Sequence, residues 1–205
     1  MDLKSMLALA TGLFVATAAV PQTLPGLPPP LDPENTLMLD LSTGGRVTIQ
    51  LRPDVAPNHV ERIKTLARRG FYDGVTFHRV IEGFMAQTGD PTGTGEGESD
   101  LPDLNPEFNH LPHLRGAVSA ARTVDPNSAN SQFFIMFLPK FELDRQYSVF
   151  GRVVGGMNHV DAIARGEPPL QPSRILRASI GADNVPPPAA PAPAPAPAQD
   201  APAPQ

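Results

Sequence analysis

From Thr36 to Ile180 the apolar residues fall into short runs that alternate with polar ones, and glycine, proline, asparagine or aspartate closes each run. Such runs at period two read as strands, because successive side chains of a strand point to opposite faces. Residues 36–41 and 46–51, joined by Ser42-Thr43-Gly44-Gly45, read as a β-hairpin. Further strands are expected over 75–81, 84–88, 117–121, 132–137, 148–153 and 173–180. Only two stretches carry a helical pattern. The first is 56–69, with Val60, Ile63, Leu66 and Ala67 on one face, Pro57 in the first turn and Gly70 as the stop. The second is 158–165, after Gly155-Gly156. Seven or eight strands with two isolated helices predict a mainly β fold, a closed antiparallel barrel capped by the helices.

The ends have a different character. Residues 6–20 are almost wholly apolar or small, and Ala16-Thr17-Ala18 offers the small-residue pattern of a signal cleavage site. We expect residues 1–20 to be a cleaved signal peptide and the protein to be periplasmic or secreted, with an uncleaved membrane anchor as the alternative. The run is shorter than the ~20 residues a spanning helix needs, so no membrane span is expected in the mature form. Residues 21–33 form a proline-rich linker, 34–183 the folded domain, and 184–205 a disordered Pro/Ala-rich tail, because Ala-Pro alternation cannot donate a ladder of hydrogen bonds. A net charge of −5 argues against nucleic acid as a partner, and the absence of cysteine excludes disulfides and thiolate chemistry. His59, His78, His110, His113 and His159 show no metal-ligand spacing, so neither a metal nor a cofactor is expected. Residues 93–97 are glycine-rich but lack the lysine of a phosphate loop, and read as a flexible loop.

The chemistry concentrates in FYDGVTFHRVIEGFMAQTGD, residues 71–90. Read at period two, Val75, Phe77, Arg79 and Ile81 share one face, and His78 lies on the other as a structural histidine. An arginine among apolar neighbours is unexpected, because an unpaired buried charge is costly. Either that face opens onto a cleft or a buried carboxylate pins Arg79, and nothing acidic lies on its strand face. A second segment, NSQFFIMF at 130–137, is an apolar strand interrupted by Gln132, with Phe134 two residues on.

FYDGVTFHRVIEGFMAQTGD, GAVSAARTVDPNSANSQFFIMF and LDRQYSVFGRVVGGM, in that order and spacing, resemble the cyclophilin-type peptidyl-prolyl isomerases over residues 35–182. The resemblance implies an eight-stranded cyclophilin-like barrel with a helix at each mouth. It also implies acceleration of X–Pro isomerisation without cofactor or metal. Arg79 takes the family's catalytic position. Phe84, Met85, Phe134 and Leu143 match its proline pocket, and Tyr147 stands where many members carry histidine. Gln87 and Gln132 would orient Arg79 and hold substrate backbone. Ala121 and Arg122 fall where the family offers backbone atoms to substrate. The expected partners are proline-containing peptides and unfolded exported proteins, bound by a monomer, and the competing function is a proline-segment-binding chaperone or scaffold. Glu82 and Thr88 depart from the family's usual proline and glycine. Glu142 replaces an aromatic rim residue, which predicts weak cyclosporin binding unless Phe141 swings in to compensate.

Overall fold

The computed structural model describes residues 31–188. The signal or anchor, most of the proline-rich linker, and the tail from residue 189 lie outside the described residues. Asp32 caps a short 3-10 turn, Pro33–Asn35, that leads into the hairpin of β1 (Thr36–Leu41) and β2 (Gly45–Leu51). Helix α1 (Pro57–Arg68) begins at a proline and ends before Gly70, which sits at φ +68°, a left-handed stop that glycine adopts without strain. Its first turn has no side-chain cap of its own. The Glu107 carboxylate fills that role from a distant loop, accepting the backbone N–H groups of Asn58 and His59 at 3.0 Å each.

Six further strands follow: β3 (Arg79–Ile81), β4 (Met85–Thr88), β5 (Ala117–Ala120), β6 (Phe133–Met136), β7 (Val149–Gly155) and β8 (Ile175–Ile180). Helix α2 (Met157–Asp161) lies between the last two. All strand pairs are antiparallel, in one eight-stranded sheet of order β3-β4-β6-β5-β7-β2-β1-β8. The sheet curls until its edges meet at a bridge between Thr76 and Arg174, with Phe77 N–H donating to Ser173 O at 2.9 Å and Ile175 N–H to Val75 O at 2.9 Å. The mainly β fold with eight strands and two helices is therefore as expected.

Two expected elements fall short of their sequence patterns by more than end fraying. The strand expected over 75–81 is regular only from Arg79, because its first half joins the β8 edge and its second half pairs with β4. Phe77 and Val80, three residues apart, both enter the main core, so the alternation slips between them. Arg79 thus shares a side with Ile81 but not with Phe77. The second helix stops at Asp161 because Arg165 turns back and donates from Nη1 to the Asp161 and Ile163 carbonyls, which a continuing helix would have used.

The main core fills the curl of the sheet. Leu37, Leu39, Val47, Ile49, Val118, Phe133, Ile135 and Phe150 meet the apolar stripe of α1 there. Tyr72, Phe133 and Phe150 form a chain of edge-to-face rings, and the Tyr72 hydroxyl donates to Ser131 O at 3.0 Å. A second apolar cluster, Met85, Ala117, Ala121, Phe134, Met136 and Val149, lies on the outer face of the same strands. The strand β6 shows why both exist: Phe133 and Ile135 point in, while Phe134 and Met136 point out. A strand apolar on both faces must be covered on both, and the outer cover is incomplete. That gap is the candidate site.

Candidate active site

Strand register sets the site. Arg79 of β3 faces Gln87 of β4, Gln87 faces Phe134 of β6, and Phe134 faces Ser119 of β5. One row across four strands therefore runs from a cation through an amide to an aromatic ring. Beside this row lies a cavity of ≈ 110 Å³ lined by Arg79, Phe84, Met85, Gln87, Ala121, Arg122, Phe134, Leu143 and Tyr147. A larger one, ≈ 280 Å³, continues past Gln87, Ala121, Arg122 and Gln132 to Gly95, Glu96, Glu98, Thr123, Ser128 and Asn130. All ten candidate site residues named from the sequence thus line one or both of two adjoining hollows. Phe141 does not: it is exposed, so it supplies no substitute for the missing aromatic rim at Glu142, which is also exposed.

Arg79 is half-exposed and not sealed in the core. Its Nε donates to Glu167 Oε2 at 2.8 Å. Its strand face carries no acid, and the partner is a half-exposed carboxylate, not a buried one. Glu167 is absent from its strand and arrives from 88 residues away, a partner that period-two reading cannot detect. Gln87 does not hold Arg79 either; its Nε2 donates to Gln132 Oε1 at 2.9 Å. Gln132 in turn donates to Gly95 O and Gly97 O, each at 2.9 Å, and so ties the glycine-rich loop to the groove.

That loop is organised around Asp90, which is fully buried. Its carboxylate accepts from Thr92 N and Oγ1 at 2.7 Å and from Gly95 N at 2.5 Å. Burial opposes ionisation of Asp90, but the Thr92 and glycine donors outweigh it and hold the carboxyl at about 2. A loop read as flexible is pinned at several points by one acid. His78 is buried beneath it, and burial lowers its pKa, which keeps it neutral and structural.

Behind the pocket wall lies an arrangement that inspection of the sequence did not find. Ring Nδ1 of His113 is 2.9 Å from Asp144 Oδ1, and ring Nε2 is 2.9 Å from Ser119 Oγ. Asp144 Oδ1 also accepts the backbone N–H of His113 at 2.8 Å. The residue types are those of a hydrolytic triad, but Ser119 and His113 are both 0% exposed, so no substrate can reach the hydroxyl. The chain is a strut. The His113 ring stacks on Phe134 with centroids 6.2 Å apart, and Tyr147 meets both rings edge-on. Arg122 folds its guanidinium over Tyr147, 4.5 Å from the ring centre, and does not extend into solvent. Its Nη groups donate to Thr123 O and Gln146 O.

Comparison with known proteins places this geometry. The sequence model of the family described as cyclophilin type peptidyl-prolyl cis-trans isomerase matches residues 38–180. The chain belongs to the cyclophilin-type peptidyl-prolyl isomerases. A probable peptidyl-prolyl cis-trans isomerase of Brucella suis is 49% identical over 168 residues, covering 74% of this chain and 85% of that one. A peptidyl-prolyl cis-trans isomerase-like protein of Aspergillus niger is 39% identical over 147 residues, 66% of this chain and 89% of its own. Among solved structures, a cyclophilin of Hirschia baltica superposes with a TM-score of 0.70 at 33% identity, over 76% of this chain and 77% of its own. A Cryptosporidium parvum cyclophilin, crystallised in the presence of the dipeptide Ala-Pro, gives 0.66 at 26% identity, over 71% and 98%. Among the described residues this cyclophilin has no group of three His, Cys, Asp or Glu side chains placed to hold a metal, and no helix long and apolar enough to cross a membrane.

Proposed function

We propose that this isomerase twists X–Pro bonds by non-covalent catalysis at Arg79. The observation that carries this reading is the position of the guanidinium. It stands at the rim of an apolar hollow, with Nε engaged and neither Nη held by any group among the described residues. Amide resonance opposes rotation with a barrier of ~18–20 kcal/mol. A rate gain of about a hundred-thousandfold needs only ~7 kcal/mol of preferential binding to the twisted peptide. Phe84, Met85, Phe134 and Leu143 grip the ring. The Nη donors meet the prolyl nitrogen as it regains its lone pair, and they steady the neighbouring carbonyl. No bond breaks, so no base, nucleophile or metal takes part.

The larger hollow next to the proline pocket supports recognition of peptide beyond the proline itself, with Gln132 and the Ala121 backbone along the path. The apolar run at 6–20 supports a role in the folding of exported proteins, in the periplasm or outside the cell. The test is a protease-free isomerisation assay on a proline-containing peptide. Arg79→Ala lowers kcat/KM by about a hundredfold or more, the scale of losing a transition-state donor, while the circular dichroism spectrum is unchanged. Equal turnover by wild type and variant refutes the assignment. It would leave the alternative, a segment-binding chaperone or scaffold that uses the same groove without needing Arg79.

A further inference from the structure

Residues 164–169 run antiparallel to β3 as a strap. Val80 and Gly166 exchange two backbone hydrogen bonds, at 2.8 and 2.9 Å. That bridge puts the residue after Gly166 opposite the residue before Val80, so Glu167 faces Arg79 in register. The strap is fastened on either side. Arg165 Nε donates to Glu82 at 2.6 Å, its guanidinium lies 4.2 Å over the Phe137 ring, and Ala164 N–H donates to Ser173 Oγ at 3.1 Å. Gly166 sits at φ +141°, and a Cβ there would fall 2.6 Å from Pro169 Cα, so the strap takes this path only with glycine. Glu167 is therefore a placed group and not a long side chain that happens to reach an arginine.

Which nitrogen it takes matters. A carboxylate usually meets a guanidinium side-on through two nitrogens, as Asp54 does with Arg52 Nε and Nη2. Glu167 contacts only Nε, the nitrogen nearest the chain. The guanidinium plane is thereby fixed while both Nη groups keep their donors. We propose that Glu167 is the positioning residue for Arg79: it orients the guanidinium in the free enzyme, so that the Nη edge already faces the proline pocket when substrate arrives. This inference rests on the reading of Arg79 as the catalyst. Glu167 itself touches no substrate.

The two side chains are 43% and 50% exposed, so the effect has the size of a solvent-exposed ion pair, about 1.5-fold to fivefold in rate. The test measures kcat and KM for wild type, Glu167→Ala, Glu167→Gln, Arg79→Ala and the Arg79→Ala/Glu167→Ala double variant. Glu167→Ala is expected to lower kcat about 1.5-fold to fivefold with little change in KM or melting temperature. Glu167→Gln, which keeps an acceptor for Nε–H, recovers most of that loss. In the Arg79→Ala background, removal of Glu167 changes nothing further. In wild type the Arg79 Nε–H gives a nitrogen-coupled proton resonance protected from exchange, and this protection is lost in Glu167→Ala.

Glu167→Ala turnover at or above wild type, beside a crippled Arg79→Ala, overturns the positioning role alone. An equal loss in both backgrounds also overturns it, since the strap would then act independently of Arg79. Wild-type turnover by Arg79→Ala removes the catalytic reading and this inference together.

Discussion

Replacing Asp144 by alanine tests whether the buried strut supports the pocket. Asp144 Oδ1 accepts two donors from one residue, the His113 backbone N–H at 2.8 Å and ring Nδ1 at 2.9 Å. The alanine variant leaves both without their acceptor. A buried donor stripped of its partner costs about 1–3 kcal/mol. The Asp144 side chain is 31% exposed, so water enters the space it leaves and meets both donors in part. The low end of the range then applies to each, giving about 2 kcal/mol in all. For a domain of this size that lowers the melting temperature by about 4–8 °C. Asp144→Asn keeps an oxygen acceptor and is expected to lose less than about 1 kcal/mol. Thermal unfolding followed by circular dichroism reads both values. Because the freed His113 ring stacks on Phe134, KM of the alanine variant rises as well. If Asp144→Ala melts within about 1 °C of wild type, the Asp144–His113–Ser119 chain carries no load and the reasoning fails.

Stability should fall as pH drops through the histidine range. His59, His78 and His113 are buried and burial lowers the pKa of each, so the folded protein keeps them neutral while the unfolded chain takes up protons near pH ~6.5. Their contribution is present above that value and is lost as pH falls below it. A melting temperature that does not decrease between pH 7.5 and 5 would contradict this. Phe134→Leu removes the stacked ring from a residue only 5% exposed. It should cost about 1 kcal/mol of stability and raise KM several-fold in the peptide assay, and an unchanged KM would show that the ring does not grip substrate. Glu142→Trp restores an aromatic to a rim that the structure leaves open, and should tighten cyclosporin binding about tenfold or more by calorimetry; unchanged affinity would mean the weak binding expected of this chain has another cause.

The fold was legible because its signals are local. Gly44-Gly45 turns the hairpin, Pro57 and Gly70 bracket α1, and the in–out pattern of Phe133 to Met136 needs only a strand to express it. The pocket residues came from the resemblance to the family, and the four-strand row aligns Arg79, Gln87 and Phe134 among them. What escaped were pairings between segments far apart in sequence. Glu167 reaches Arg79 across 88 residues, and Glu107 caps α1 across 49. No window of the sequence contains both members of either pair. The slip between Phe77 and Val80 escaped for another reason: a chain that serves both edges of a curled sheet in turn cannot keep one periodicity.

That junction, held by isolated bridges in place of a ladder, behaves as a soft zip along one side of an otherwise stiff shell. Backbone amides at Phe77 and Ile175 should exchange with solvent deuterium through small local openings, while those of Phe133 to Met136 wait for the whole molecule to come apart. The pliable line runs beside the cation and the rigid wall lies under the ring-binding hollow. Phe134 belongs to that rigid wall, so the seam can open and close without loosening the surface beside the cation.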